Sequence, residues 1–68
     1  MDIAIGDLII TDDEAQWRVH SINVEGTRRS VVALHLSSPT VIAVDVSRLT
    51  WSDRDKAWRL TAPGASEE

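Results

Sequence analysis

The chain has 68 residues, no cysteine, seven basic and eleven acidic residues, and a net charge of −4. So short a chain forms one small domain with a marginal core, and the missing cysteines exclude disulfides and thiolate metal sites. The charge balance lacks the basic footprint of a nucleic-acid binder, and no apolar run approaches the roughly 20 residues that a membrane span needs. We expect a single cytoplasmic domain over residues 1–62 and a disordered tail over residues 63–68.

The first strands are predicted from alternating apolar residues. The stretch "IGDLII", residues 5–10, places a Gly-Asp turn before a short strand, and the polar loop "TDDEA" follows over residues 11–15. The next strand, "QWRVHSINV", carries Trp17 and Val19 on one face and then changes the parity of its apolar positions after His20. A β-bulge explains such a change, and a strand with both faces partly covered is the other explanation.

Two turns set the predicted core. The segment "EGT" predicts a turn centred on Glu25 and Gly26, which places Trp17 opposite Leu34 of the following strand "RRSVVALHL". The breaker "SSPT" predicts a three-residue loop at residues 38–40 before the strand "VIAVDV". Together the two loops assign six residues to the inward face, which are Val32, Leu34, Leu36, Ile42, Val44 and Val46.

The same register leaves an apolar outward face, where alternation to polar residues is expected. The set consists of Val31, Ala33, Val41 and Ala43, flanked by His20 and His35. Contiguous exposed apolar surface marks interfaces, so this set is the candidate interface, and a two-fold contact through it would make a homodimer. Coverage of the set by the N-terminal "MDIAI" is the alternative.

The segment "TWSDRDKAWRL", residues 50–60, is compatible with a hairpin or a helix. In the helix, Ser52 is the N-cap and the two tryptophans share a side. The hairpin is favoured because one register pairs Trp51 with Trp58, Leu49 with Leu60 and Asp53 with Lys56. A four-residue loop fits this hairpin, and a short helical turn is predicted before it at residues 46–49.

These elements predict an all-β fold, either a small barrel or a strongly twisted antiparallel meander of five to six strands with a short 3-10 turn. The stretches "IGDLII", "WRV", "VVALHL" and "VDVSRLTW" resemble the SH3-like small barrels, the group that includes KOW and Tudor domains. The resemblance covers about residues 5–60 and implies a binding module without an activity. The aromatic cage of Tudor domains and the basic, aromatic surface of KOW domains have no counterpart, so no residue is carried over.

Candidate residues for chemistry are sparse. His20 and His35 are the only histidines and are predicted to lie apart, and "TDDE", residues 11–14, lacks the glycine and glutamate spacing of an EF-hand. Nothing indicates a Ser-His-Asp arrangement or a phosphate-binding glycine loop. We therefore expect no catalytic residues, no metal site and no cofactor.

Size and composition favour a non-enzymatic protein-interaction module, of the accessory or inhibitory kind found in phages and other mobile elements. The expected partner is another protein or a second copy of the chain, and not a membrane. The alternative is a nucleic-acid-binding barrel with an arginine-lined face. The residues that would contact nucleic acid are Arg18, Arg28, Arg29, Arg54, Lys56 and Arg59.

Overall fold

The computed structural model describes residues 2–60, which form six strands and one 3-10 turn. In chain order these are β1 Leu8–Ile10, β2 Gln16–Glu25, β3 Arg28–His35, β4 Val41–Asp45, the 3-10 turn Val46–Arg48, β5 Leu49–Ser52 and β6 Ala57–Leu60. The predicted all-β class is confirmed. No helix within residues 2–60 is long and apolar enough to span a membrane. The predicted tail at residues 63–68 lies outside the described residues.

The strands form a single sheet in the order β4-β3-β2-β1-β6-β5. Each neighbouring pair is antiparallel except β1 and β6, which run parallel with Ile9 beside Trp58, so the sheet is mixed rather than wholly antiparallel. The two edge strands, β4 and β5, are consecutive in the chain and joined only by the 3-10 turn Val46–Arg48. The sheet must therefore curl until its edges approach at this corner, which produces a half-barrel.

The hydrophobic core fills the inner face of the curled sheet. Its largest fully buried side chains, Ile9, Val19 and Val31, come from the neighbouring strands β1, β2 and β3. All three are β-branched, a shape that packs well on a pleated surface. The whole buried cluster consists of Ile3, Ile9, Trp17, Val19, Val31, Ala33, Val44, Leu49 and Trp58.

The β2–β3 hairpin turns one residue later than predicted. Glu25 pairs with Arg28, so the loop is formed by Gly26 and Thr27. Gly26 has φ 63°, a conformation that residues with a Cβ rarely adopt, and a positive φ at the first loop position is typical of a type II′ turn. Moving the turn by one residue moves each partner on β3 by two residues, which by itself keeps the faces of β3. The β-bulge in β2 between Val19 and Ser21 changes the register by one further residue, so Val19 pairs with Ala33 and the two faces of β3 are exchanged relative to the prediction.

The inner face of β3 is therefore the opposite of the predicted one. Val31 and Ala33 are 0% exposed and belong to the core. Leu34, predicted to be inward, is 39% exposed and points outward together with Val32.

The inner face of β4 was predicted correctly although its register was not. Leu34 pairs with Val41, so the β3–β4 loop contains residues 36–39 instead of 38–40. The β3–β4 pairing is thus displaced by an odd number of residues, which compensates for the exchanged faces of β3. Val44 is buried, and Ile42 packs against the core from a half-buried position.

A β-bulge interrupts β2 where the sequence changes parity. The register with β3 shifts between Val19 and Ser21, which leaves His20 without a partner in the ladder. The bulge explanation is confirmed. Val19 before the bulge and Ile22 after it both contact the core, although they are separated by an odd number of positions.

The segment 50–60 is a hairpin, and the helix interpretation is wrong. Trp51 pairs with Trp58 and Leu49 with Leu60, in the predicted register. The two indole rings meet edge to face with centroids 5.4 Å apart. The loop has four residues and ends at Lys56, whose φ of 53° lies in the left-handed region.

The predicted helical turn before this hairpin is also confirmed. It is the 3-10 turn Val46–Arg48, and the Oδ1 atom of Asp45 caps it by accepting a hydrogen bond from Ser47 N at 2.9 Å.

Candidate functional site

Aliphatic side chains gather on the outer side of β3 and β4. We call this set the outer apolar face, and its members are Val32, Leu34, Leu36, Val41 and Ala43. Ladder pairing holds Leu34 opposite Val41 and Val32 opposite Ala43. Leu34, Leu36 and Val41 are 39%, 46% and 55% exposed, and they are three of the five large hydrophobic residues exposed within residues 2–60. This concentration distinguishes the face from the scattered apolar residues of an ordinary surface.

The outer apolar face differs in membership from the predicted interface. Val41 and Ala43 are exposed on the outer side of β4 as expected. Val31 and Ala33 are buried in the core, so their assignment to an exposed surface is wrong. The cause is the β-bulge between Val19 and Ser21, which shifts the register with β3 by one residue and brings the other set of β3 residues to the surface.

The two histidines lie in different surroundings. His20 is exposed at the bulge. His35, predicted to be outward, lies on the inner side, where its ring meets Trp17 edge to face with centroids 4.7 Å apart. Its Nδ1 atom accepts a hydrogen bond from Ser37 N at 3.0 Å. His35 therefore orders the start of the β3–β4 loop and does not flank the outer apolar face.

A polar margin borders the outer apolar face on β2. Arg18 lies opposite Leu34 in the β2–β3 ladder and is exposed. Its Nη1 atom donates to Gly6 O at 3.4 Å. An apolar centre with a polar margin is the usual arrangement of a protein-interaction surface.

Strand β4 lies at an edge of the sheet, and the residues whose backbone groups point to that free edge are those whose side chains belong to the outer apolar face. His35 N donates to Thr40 O at 2.9 Å, which fixes the phase of the antiparallel ladder between β3 and β4. Because hydrogen-bonded and non-bonded pairs alternate, the backbone groups of Ile42 point to β3 while those of Val41 and Ala43 point away from the sheet. Within residues 2–60, β4 pairs with β3 alone.

Ion pairs engage four of the six basic residues predicted to contact nucleic acid. They join Arg28 to Asp45, Arg29 to Asp2, Lys56 to Asp53, and Arg59 to both Asp55 and Glu14, at 3.0–3.6 Å.

The six basic residues do not form one arginine-lined face. Arg18 lies opposite Leu34, whereas Arg29 lies opposite Val24, six residues further along β2. This separation corresponds to roughly 20 Å. Arg54 lies in the β5–β6 loop.

A depression of about 390 Å³ lies beside the β2–β3 turn. Its lining residues are Thr27, Arg28, Arg29, Asp45, Val46 and Ser47. The Asp45 carboxylate lies 3.6 Å from the Arg28 guanidinium, so it neutralises part of the positive charge that an anion would need.

Arg59 connects the loop at residues 11–15 to the β5–β6 hairpin. Its Nε atom donates to Asp55 at 3.0 Å, and its two Nη atoms donate to the Glu14 carboxylate at 3.2 and 3.3 Å. The Ser52 hydroxyl donates to Asp55 at 2.8 Å. This hydrogen bond, followed by the one from Arg59, lowers the pKa of Asp55. The cluster is internally satisfied, and we assign it a structural role.

Asp7 is a structurally important residue that sequence reasoning missed. Its Oδ2 atom accepts hydrogen bonds from Trp58 Nε1 at 3.1 Å and from Ala4 N at 2.9 Å, and Val19 N donates to its carbonyl at 2.9 Å. The only signal in the sequence is its position after Gly6, which has φ 96° and forms the preceding turn.

No three imidazole or carboxylate side chains within residues 2–60 are arranged to hold a metal ion. Comparison of the chain with protein-family models, with curated proteins and with solved structures found no match.

Proposed function

We propose that this chain is a non-enzymatic protein-interaction module of the SH3-like small-barrel kind, and that the outer apolar face contacts its partner. The observation that carries the proposal is the exposure of Leu34, Leu36 and Val41, between 39% and 55%, on one side of two paired strands. Such a face normally alternates to polar residues when water covers it. A protein partner removes this apolar area from water, which favours association.

An accessory or inhibitory role, of the kind found in phages and mobile elements, stays a prediction from the size and composition of the chain. The proposed module does not require a particular host. It requires a partner that is apolar where it meets β3 and β4 and polar where it meets Arg18 at the margin.

The test compares two lysine substitutions at exposed strand positions. Linear peptides are first selected on the wild-type domain from a displayed random library. Leu34→Lys puts a charge into the outer apolar face, whereas Val24→Lys puts the same charge at a 64% exposed position near the β2–β3 turn. We expect Leu34→Lys to weaken binding of the selected peptides about tenfold or more, and Val24→Lys to change it by less than about twofold.

A folding control gives this comparison its meaning. Both variants must keep the urea midpoint of the wild type within error, so that lost binding is not lost folding. Equal binding by the two variants contradicts the proposal. Tight binding of a labelled single-stranded oligonucleotide at low salt, falling steeply as salt rises, would instead support the nucleic-acid alternative.

A further inference from the structure

We propose that the partner occupies this surface as an extended aliphatic segment, which adds to the free edge of β4 as a new strand. The inference rests on the proposed function and specifies the conformation and chemistry of the partner. Three features of the structure support it, and they concern the backbone of β4, the residue types along that edge and the size of the apolar area.

The first feature is that a single bound segment can contact both the backbone and the side chains of Val41 and Ala43. The backbone groups of Val41 and Ala43 point away from the sheet, and their side chains belong to the outer apolar face. A strand laid beside β4 would form main-chain hydrogen bonds with these two residues. Every second side chain of that strand would then lie next to Val41 and Ala43 on the outer side of the sheet.

The second feature is the lack of protection along β4. In natural proteins, edge strands are protected against pairing with another chain by lysine, proline, bulges or inward-pointing charges. Residues 41–44, "VIAV", contain no charged residue and no proline, and the only charge of the strand is Asp45 at its end. The other edge strand, β5, has four residues. The β4 edge is thus the better acceptor for an added strand.

The third feature decides between an extended segment and a second copy of the chain. Five side chains that are already partly covered expose at most roughly 400 Å², half of the ~800 Å² per partner in a standard interface. Packing two copies face to face through this area alone would therefore not bury enough surface for a stable dimer. Main-chain hydrogen bonds supplement apolar contact when a strand is added.

Charge also favours a different chain as the partner. Two copies with a net charge of −4 each repel one another, whereas a segment with flanking lysine or arginine is attracted. We therefore expect a segment of alternating aliphatic residues with basic residues on either side.

The experiment uses proline substitutions at neighbouring positions of β4, and the probe is the set of peptides selected on the wild type. Ala43→Pro removes an N–H that points to the free edge, so the domain should stay folded. Ile42→Pro removes an N–H that bonds β3 and should unfold the domain. We expect Ala43→Pro to weaken peptide binding about tenfold or more. Bound peptide should also slow hydrogen exchange at the amides of Val41 and Ala43 and leave Val24 unchanged.

Other outcomes separate this inference from the proposed function. If Leu34→Lys weakens binding and Ala43→Pro does not, the peptide covers the face without pairing to β4, and only the inference is overturned. If neither variant weakens binding, both the inference and the proposed function are overturned. If wild type sediments as a dimer that Ala43→Pro converts to a monomer, the occupant is a second copy, and the inference is overturned.

Discussion

Among single residues, Asp7 connects the turn before β1 to the core. The indole N–H of Trp58 needs an acceptor, because this ring is only 7% exposed, and the Asp7 carboxylate supplies it. A buried donor that loses its acceptor destabilises the fold by about 1–3 kcal/mol. The same carboxylate holds Ala4 N, so it also fixes the path of the chain into β1.

We therefore expect Asp7→Ala to lower the free energy of unfolding by about 1–3 kcal/mol. Asp7→Asn retains an acceptor oxygen and should lose less. Urea titration followed by tryptophan fluorescence measures both. Asp12→Ala, in the exposed loop, is the matched control and should stay within about 0.5 kcal/mol of the wild type. An equal effect of Asp7→Ala and Asp12→Ala would show that the indole contact contributes little.

Acid stability depends on hydrogen-bonded carboxylates. The folded state lowers the pKa of three aspartates below 3.8, and these are Asp13, Asp45 and Asp55. The largest cause in each case is a hydrogen bond, from Thr11, Ser47 and Ser52 respectively. A carboxyl with a lower pKa in the folded state binds fewer protons there than in the unfolded state. Its stabilisation is thus present above the unfolded pKa and is lost as the pH falls through the folded pKa.

We expect the thermal midpoint to decline as the pH falls below about 4, and Ser52→Ala to make this decline shallower. The substitution removes the hydroxyl that contributes most to the lowered pKa of Asp55. Ser38→Ala is the control, because the Ser38 hydroxyl is hydrogen bonded to Thr40 and not to a carboxylate. Parallel pH profiles for Ser52→Ala and Ser38→Ala would rule out the role given to Asp55. Circular dichroism melts over a pH series provide the measurement.

At the scale of elements, the β5–β6 hairpin is held by its tryptophan pair. The rings of Trp51 and Trp58 meet edge to face at 5.4 Å, a geometry worth about 0.5–1.5 kcal/mol beyond area burial. A double-mutant cycle with Trp51→Leu and Trp58→Leu should return a coupling energy of this size. A parallel cycle of Trp51→Leu with Val24→Ala should be additive within about 0.5 kcal/mol, because the β2–β3 turn shares no ladder with β5. Additivity in the first cycle would contradict the pairing.

The registers of the hairpins differ in how strongly the sequence encodes them. In β5–β6, a single register aligns Trp51 with Trp58 and the oppositely charged Asp53 with Lys56, so it could be predicted. In β3 the run "VVAL", residues 31–34, is apolar on both faces. A shift of one residue there still places an aliphatic side chain in the core, so the β-bulge between Val19 and Ser21 decides the face.

The same ambiguity applies to the question of which β3 residues belong to the outer apolar face. The sequence shows that β3 and β4 together carry more apolar residues than one face can bury. It does not show which set of β3 residues is buried, because the change of parity after His20 is compatible with a β-bulge or with a strand covered on both faces. The bulge between Val19 and Ser21 makes the choice, because it places Ala33 opposite Val19 and Val31 opposite Ile22. The existence of an apolar outward surface was therefore predictable, and its membership on β3 was not.

For the whole molecule, the order of the strands concentrates local pairing on one side of the half-barrel. Strands β2, β3 and β4 follow one another both in the chain and in the sheet, as do β5 and β6. Within the sheet these two groups are connected through β1, whose parallel contact with β6 joins Ile9 to Trp58. The sheet is thus two locally connected units held together by one short central strand.

The parallel β1–β6 contact has a consequence for the order in which the molecule folds. Ile9 and Trp58 are 49 positions apart (58 − 9), so bringing them together closes a long loop, whereas the hairpins close short ones. We expect β2–β4 to be formed in the folding transition state and the β1–β6 contact to form afterwards. Stopped-flow kinetics should then show that Ile9→Val mainly accelerates unfolding, while Val31→Ala mainly slows folding. The reverse pattern would show that the β1–β6 contact forms first. Because the β1–β6 contact forms last, a chain that is still folding already presents β4 as a formed edge strand before its half-barrel is complete.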